Sequence, residues 1–274
     1  MTMEEQHHID PEMAERIRAE LAAIEQEHGV RIVLAVESGS RAWGFPSQDS
    51  DYDVRFIYLR GVADYLTVVP RRDVIERPVD AVLDVSGWDI RKALALMLKS
   101  NAVLQEWLSS PVRYIDDEPI SRQLSELFEE FAELRTFEYH YDHQARRSFS
   151  EVCVAGAAVR MKGYCYALRA SLALCWLRDR RTLPPMDLPS LTAGVDLPPE
   201  LGQEIRRLVD RKACGDEHDT VDRISDLDAF IQRTLDQPVS MAGGTARHAF
   251  TARADALFAK MVVHSPSAGA THIP

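Results

Sequence analysis

Two aspartates two positions apart, Asp51 and Asp53, are the residues of this chain best suited to catalysis. They open an apolar run, DYDVRFIYL, that is typical of a β-strand. Side chains at positions i and i+2 of a strand point the same way, with Cα atoms roughly 7 Å apart. Two carboxylates so placed repel one another unless cations lie between them. A pair of Mg²⁺ ions roughly 4 Å apart would be such a partner and would clamp the oxygens of a phosphoryl-transfer reaction.

A Gly-Ser pair precedes these aspartates and directly follows another apolar run, RIVLAVES, which indicates a buried strand. Gly39 permits a tight turn and a close approach of backbone to phosphate. Backbone N–H groups and the Ser40 hydroxyl would then hold terminal phosphates, and Arg41 would add positive charge. The loop is not a P-loop, because Phe45-Pro46 stands where Lys-Ser/Thr is required.

Gly-Ser, about ten residues and then Asp-x-Asp on a strand resembles the nucleotidyltransferase superfamily that includes DNA polymerase β. The wider runs GSRAWG and SDYDVR resemble one branch more closely, the predicted nucleotidyltransferases associated with bacterial RNA repair. The resemblance covers most of residues 30–235. It extends to three further stretches: RKALALMLKSNAVLQEWLSSPVRY, KGYCYALRASLALCWL and PPMD.

The resemblance implies a reaction in which an acceptor hydroxyl attacks the α-phosphate of an NTP in line and releases pyrophosphate. Asp51 and Asp53 would ligate two Mg²⁺ (or Mn²⁺) ions. The superfamily also uses a third carboxylate on a later strand. We assign it to Asp84, which ends an apolar run before a helix, with Asp80 as the alternative of the same strand parity. Asp84 would bind one metal and help to deprotonate the acceptor.

Lys162, Tyr166 and Arg169 lie at spacings of four and three on a predicted helix, within about 60° of one another. A stripe of this kind can meet a triphosphate with its charges and a base or ribose with its ring. This helix is similar to the nucleotide-facing helix of the related family. The alternative is a solvated basic face with a half-buried tyrosine. Lys212 is predicted to be a surface residue.

Several other residues have competing or structural interpretations. Trp43 either stacks on a base or fills the core beneath the loop. His140 and His143 are spaced for a metal, but no nearby Cys or His completes a zinc set. The four cysteines are predicted to be reduced and packed as small hydrophobes. Three of them, Cys153, Cys165 and Cys175, fall in one predicted helical stretch.

Strand patterns crowd into the first 115 residues, and helical patterns fill the rest. We therefore predict an α+β fold, with an N-terminal nucleotidyltransferase mixed β-sheet flanked by helices and an all-helical C-terminal domain. The predicted domains are residues 1–116 for catalysis and 117–262 for substrate and nucleotide binding. Residues 263–274 are predicted to form a disordered tail. Residues 87–101 and 152–180 are each predicted to be helical.

The formal net charge of −11 makes a large RNA or DNA footprint unfavourable, because phosphate binding is driven by Lys and Arg. No apolar run approaches the roughly 18 residues of a membrane-spanning helix, so no membrane partner is expected. The polar, acidic N-terminus is no signal peptide, and a cytoplasmic location is expected. Three functions stay open: transfer of a nucleoside monophosphate to an acceptor such as an RNA end, antitoxin-like transfer of AMP to a protein partner, and a catalytically silent nucleotide-binding module.

Overall fold

The structure is a computed structural model that describes residues 7, 9–78, 80, 82–154, 158–216, 218–239 and 247–263. The strands are β1 (Arg31–Ser38), β2 (Tyr52–Leu59), β3 (Val74–Glu76), β4 (Leu83–Asp89), β5 (Arg113–Asp116), β6 (Ala158–Arg160) and β7 (Thr220–Asp222). The helices are α1 (Pro11–His28), α2 (Gly39–Ala42), α3 (Val62–Tyr65), α4 (Ile90–Met97), α5 (Ala102–Ser109), α6 (Glu118–Phe131), α7 (Leu134–Val154), α8 (Met161–Arg180), α9 (Leu188–Gly194), α10 (Pro199–Ala213), α11 (Ser225–Asp236) and α12 (Arg247–Val263).

Internal contacts group the chain into two compact units, each built from separate stretches. The sheet unit comprises Ile9–Ser38, Tyr52–Ala132 and Thr245–Pro274. The helical unit comprises Met1–His8, Gly39–Asp51 and Glu133–Gly244. The predicted domains, in contrast, meet at a single boundary after residue 116. The predicted disordered tail lies outside the described residues, apart from Val263 at the end of α12.

The sheet unit contains a five-stranded mixed sheet in the order β3-β4-β2-β1-β5. Strands β2 and β4 are parallel, whereas β1 pairs antiparallel with both β2 and β5, and β3 pairs antiparallel with β4. The predicted mixed sheet with flanking helices is therefore confirmed. Its core combines apolar side chains of α1, such as Ile17 and Leu21, with those of the sheet, such as Val54 and Phe56.

Helix α1 begins and ends where its sequence signals predict. The Asp10 carboxylate accepts hydrogen bonds from the N–H groups of Glu12 and Met13, at 2.9 and 3.0 Å, and Pro11 occupies the first turn. Gly29 ends the helix in the left-handed conformation, with φ 58°. These local signals therefore suffice to define the helix that covers the sheet core.

Strand β4 runs further than predicted. Residues 87–89 were expected in a helix, but they continue the strand, because β4 pairs with β2 along its whole length up to Tyr58 and Asp89. Gly87 suits this strand, since a Cβ atom there would lie 2.2 Å from the Phe56 ring. Asp89 then caps α4, its carboxylate accepting from the N–H of Arg91 at 2.8 Å.

The helical unit is confirmed as mainly helical, but it also contains a two-stranded antiparallel ribbon formed by β6 and β7. The predicted single helix over residues 152–180 is wrong, because β6 separates α7 from α8. The partner strand of β6 is β7, at Thr220–Asp222, about 60 residues further along the chain, so no local sequence pattern reveals this pairing. The break also places Cys153 on α7, while Cys165 and Cys175 lie on α8. Helix α8 is the centre of this unit and packs against α7, α9, α10 and α11.

No described helix is both long enough and apolar enough to cross a membrane.

Candidate functional site

Asp53 and Asp84 lie opposite each other on the parallel strands β2 and β4. A single guanidinium contacts both carboxylates: Arg55 Nη2 donates to Asp53 Oδ1 at 3.0 Å and to Asp84 Oδ2 at 2.6 Å. The aspartate side chains are 34% and 33% exposed, and that of Arg55 is 18% exposed. The site is thus a pair of neighbouring carboxylates, partly open to solvent, that share the guanidinium of Arg55. Arg55 lies two positions after Asp53, the spacing that puts both on one face of the strand, and the sequence analysis missed it.

Arg55 is itself anchored by the backbone. Its Nη1 atom donates to the carbonyl oxygens of Val54 and Asp84, both at 3.0 Å. A guanidinium with four acceptors in this unit has little freedom to move. Arg55 therefore fixes the positions of the two carboxylates as well as offsetting their repulsion.

Glu37, on β1, supports Asp53 from the neighbouring strand and was also missed. Its carboxylate is fully buried, and Oε1 accepts from the backbone N–H of Asp53 at 2.8 Å. Oε2 accepts from the hydroxyl of Tyr114. A buried carboxylate needs such donors, because the charge is otherwise costly to remove from water. The start of β2 is therefore held by a side chain as well as by the β-ladder.

The other two predicted carboxylates have different surroundings. Asp51 is exposed and directly precedes β2. Asp80 lies in the turn before β4, where its carboxylate accepts from the N–H groups of Val82 and Leu83 at 2.8 and 2.7 Å. These bonds lower the pKa of Asp80, and Arg16 also pairs with it. Asp80 is thus occupied in shaping the turn, and Asp84 is the carboxylate placed beside Asp53.

The loop after β1 lies in the helical unit and is braced by its own side chains. It begins at Gly39, whose φ of 63° falls in the left-handed region. The Ser40 hydroxyl is buried and donates to Ser50 Oγ at 3.1 Å. Arg41 Nη2 donates to the Ser50 carbonyl at 2.6 Å, and Arg41 Nε donates to that of Asp51 at 3.2 Å. These polar groups hold the two ends of the loop together.

Trp43 and Arg169 form the packing beneath this loop. The guanidinium of Arg169 lies 4.1 Å from the centre of the Trp43 ring, and the Tyr166 ring meets Trp43 edge-on at 5.1 Å. Arg169 is 1% exposed and donates through Nη1 to the carbonyl of Met186 at 3.0 Å. Of the two interpretations of Trp43, this arrangement favours the packing one. Because Arg169 is buried here, it does not belong to a solvated basic face, which was the alternative interpretation of the stripe of Lys162, Tyr166 and Arg169.

Lys212 was predicted to be a surface residue, and this prediction is wrong. The side chain is 1% exposed, and Nζ donates to Ser47 Oγ at 3.3 Å while lying 6.0 Å above the Phe45 ring. A signal was available in the sequence, because Lys212 continues the buried positions of α10 at spacings of four and three. Those positions are Leu201, Ile205 and Leu208.

A cavity of about 480 Å³ lies in the helical unit. Lys162 and Tyr166, two of the predicted nucleotide-binding residues, line it together with residues that the sequence analysis did not select. The ammonium of Lys162 lies 5.8 Å from the centre of the Tyr166 ring. The remaining lining residues are Ser148, Glu151, Val152, Arg160, Gly163 and His218.

Among the described residues, no group of three or more His, Cys, Asp or Glu side chains is arranged as a metal site. His140 contacts the Tyr141 ring edge-on. The cysteines are all free thiols, as predicted, but only Cys165 is buried and Cys175 partly so; Cys153 and Cys214 are exposed. Mg²⁺ typically takes one or two carboxylates together with substrate phosphates. The oxygen donors of Asp53 and Asp84 fit that requirement.

Comparison with known proteins assigns this chain to a family. The model of the RNA repair pathway DNA polymerase beta family matches residues 13–260. The protein YcgL of Bacillus subtilis (strain 168), described as uncharacterized, is 45% identical over 230 residues, which cover 84% of this chain and 88% of that protein. A nucleotidyltransferase-like protein from Exiguobacterium sibiricum 255-15 is similar in structure at 12% identity and a TM-score of 0.29, covering 90% of this chain and 76% of that one. The chain therefore belongs to the RNA repair pathway DNA polymerase beta family.

Proposed function

We propose that this protein transfers a nucleoside monophosphate from an NTP to an acceptor hydroxyl and releases pyrophosphate. Family membership supports nucleotidyl transfer as the general activity. The observation that carries the proposal is the pair Asp53 and Asp84, side by side on β2 and β4 and partly open to solvent. Paired carboxylates at the start of adjacent strands are an arrangement suited to divalent cations and phosphates.

Asp51, Asp53 and Asp84 are the residues that would hold Mg²⁺ or Mn²⁺. When bound, the ions supply positive charge to the triphosphate and to the attacking hydroxyl. The protein's own contribution is positional. Glu37 holds the backbone of Asp53. Asp84 would accept the proton of the acceptor hydroxyl.

The loop from Gly39 to Asp51 would hold the phosphates. A loop braced by the Ser40 and Arg41 contacts presents backbone N–H groups at fixed positions, which is what phosphate binding requires. Arg169 and Lys212 would contribute indirectly, because both are buried and pack against residues of this loop. Lys162 and Tyr166, which line a cavity, would contact a nucleotide directly.

An RNA end is the acceptor that the family description favours. Transfer of AMP to a protein partner is the alternative acceptor chemistry, and nucleotide binding without transfer is the alternative from a different functional class. One assay separates the three. Purified protein is incubated with Mg²⁺ or Mn²⁺, each labelled NTP in turn, and pools of RNA or of cell protein.

The expected result is label on RNA that depends on Asp53 and Asp84. Asp53→Asn and Asp84→Asn should each lower the rate at least about a thousandfold, as is usual when a group that stabilises the transition state is removed. Asp73→Asn is the matched control, because that side chain is 56% exposed and pairs only with Lys92 among the described contacts. Label on protein would identify the alternative acceptor. NTP binding with no transfer to either pool would refute the proposed activity.

A further inference from the structure

The cavity of the helical unit is built from four parts of that unit. Ser148, Glu151 and Val152 come from α7, and Lys162, Gly163 and Tyr166 from the beginning of α8. Arg160 ends β6, and His218 precedes β7. The pairing of Arg160 with Thr220 and the hydrogen bond from Met161 N to Asp219 O, 3.1 Å, fix the last two parts against each other. The ribbon thus brings Arg160 and His218 to the same cavity as Lys162.

The lining is rich in basic groups for a chain of net charge −11. A guanidinium, an ammonium and an imidazole line this cavity, and Glu151 supplies the one carboxylate among its lining residues. Glu151 is 68% exposed and lies 3.8 Å from Arg147 on its own helix. Arg160 makes no ion pair within the part of the chain that the structure describes. Three cationic or donor groups converging on one space are suited to an anion.

The backbone at the beginning of α8 also favours an anion in this cavity. Helix α8 is 20 residues long, and its N-cap residue, Arg160, makes no side-chain capping bond in the described structure. The N–H groups of the first helical turn have no partner within the helix, and the positive end of the helix dipole lies there. Lys162 and Gly163, both in this turn, line the cavity. The volume, about 480 Å³, is within the range of about 300–1,000 Å³ common for small-ligand sites.

We infer that this cavity binds a phosphate group of a nucleotide substrate, held by Arg160, Lys162 and His218 at the beginning of α8. The inference rests on the proposed function and deepens it, because it names a phosphate subsite and adds Arg160 and His218 to its ligands. Two sources offer the same chemistry: the triphosphate of the NTP, and a terminal phosphate on an RNA acceptor. The subsite takes the phosphate in either case.

Binding measured without turnover tests this directly. The full-length protein is titrated in EDTA with ATP, with a short RNA oligonucleotide carrying a terminal phosphate, and with the same oligonucleotide ending in hydroxyls. Calorimetry or fluorescence anisotropy gives the affinities. The variants are Arg160→Ala, Arg160→Lys and, as control, Arg207→Ala, an arginine that is 70% exposed and contacts Glu204 on α10.

Arg160→Ala should weaken binding of one phosphorylated ligand at least about tenfold, because a hydrogen bond to a charged group is lost. Arg160→Lys should recover part of that loss. Arg207→Ala should change the affinity for either phosphorylated ligand less than about twofold. A loss confined to ATP assigns the subsite to the donor, and a loss confined to the phosphorylated RNA assigns it to the acceptor. Unchanged affinity for both ligands in an Arg160→Ala protein with a normal melting curve would overturn the inference. The assay needs neither metal nor turnover, so its outcome is separate from that of the transfer assay.

Discussion

The carboxylates of Asp53 and Asp84 face each other across two parallel strands and share the guanidinium of Arg55. Like charges directly opposite one another in a sheet are destabilising. The guanidinium therefore offsets a repulsion that the strand register makes unavoidable. Divalent cations would offset the same repulsion, so Arg55 and metal ions act on the same pair of charges.

Replacing Arg55 by methionine should make the fold depend on divalent cations. Without the guanidinium, we expect the free energy of unfolding in EDTA to fall by about 1 kcal/mol, a small value because the carboxylates are one-third exposed. Added Mg²⁺ should then raise the urea midpoint of the variant more than that of the wild type. Arg72→Met, which removes an exposed contact to Glu76, is the control and should show neither effect. Equal Mg²⁺ responses in variant and wild type would contradict this account.

Lys212→Met should affect the loop after β1 more than the fold as a whole. Methionine preserves most of the buried volume but removes the donor to Ser47 Oγ. We expect a loss of about 1–2 kcal/mol in unfolding free energy, typical of a hydrogen bond from a charged group, together with weaker NTP binding. Urea denaturation and a nucleotide titration measure the two effects. Lys99→Met alters an exposed lysine and should leave both the unfolding free energy and the NTP affinity unchanged. If Lys212→Met bound NTP as tightly as the wild type, the loop would not need this contact.

Gly44→Ala tests the conformation of the same loop. Gly44 has a φ of 80°, and a Cβ atom there would lie 2.8 Å from Cδ of Pro189. The left-handed backbone and the steric clash should together cost about 2 kcal/mol, seen as a lower urea midpoint. Gly61 has an ordinary φ of −65° and open space around its Cβ position, so Gly61→Ala should change stability by less than about 1 kcal/mol. If the two variants lost stability equally, the loop would not be held as described.

Asp89 should make stability pH-dependent. Burial raises the pKa of its carboxyl group, although the N–H of Arg91 and the Tyr65 hydroxyl donate to it. A folded-state pKa above the unfolded one means that the folded state binds more protons between the two values. Stability from Asp89 is then fully present below the unfolded pKa, about 4, and is lost as pH rises through the folded pKa.

The comparison of wild type with Asp89→Asn isolates this effect, because asparagine keeps the cap acceptor for α4. The unfolding free energy of the wild type relative to the variant should fall as the pH rises above about 4, the usual pKa of an aspartate in an unfolded chain. Urea denaturation at several pH values gives the difference directly. Asp73→Asn is the exposed control and should give a flat difference. A flat curve for Asp89→Asn as well would mean that burial does not shift this group.

Local chemistry directs attention to the candidate carboxylates. Asp51 and Asp53 stand out by spacing alone, whereas Asp84 was selected, with Asp80 as the alternative, because the superfamily that the sequence resembles uses a third carboxylate on a later strand. Arg55 was missed although it shares the strand parity of Asp53, because a search for ligands of a divalent cation selects acidic residues and passes over basic ones. Lys212 was missed because a lysine at a core position of an amphipathic helix is usually interpreted as solvent-exposed.

The features that could not be predicted depend on contacts between distant parts of the chain. The ribbon of β6 and β7 joins residues about 60 positions apart, and neither three-residue strand has a recognisable pattern. The extension of β4 to Asp89 likewise depends on its pairing with β2. Arg160 and His218 became visible as possible ligands only when that ribbon placed them at one cavity.

The loop from Gly39 to Asp51 belongs to the helical unit, although it continues directly into β1 on one side and β2 on the other. The residues packed beneath it, Arg169 and Lys212, come from a stretch more than a hundred positions later. A fragment cut after residue 116 would carry the loop without its support. A chimaeric protein that combines the sheet of one relative with the helices of another would therefore disrupt the packing of this loop. Only an exchange that transfers the loop together with α8 and α10 preserves these contacts.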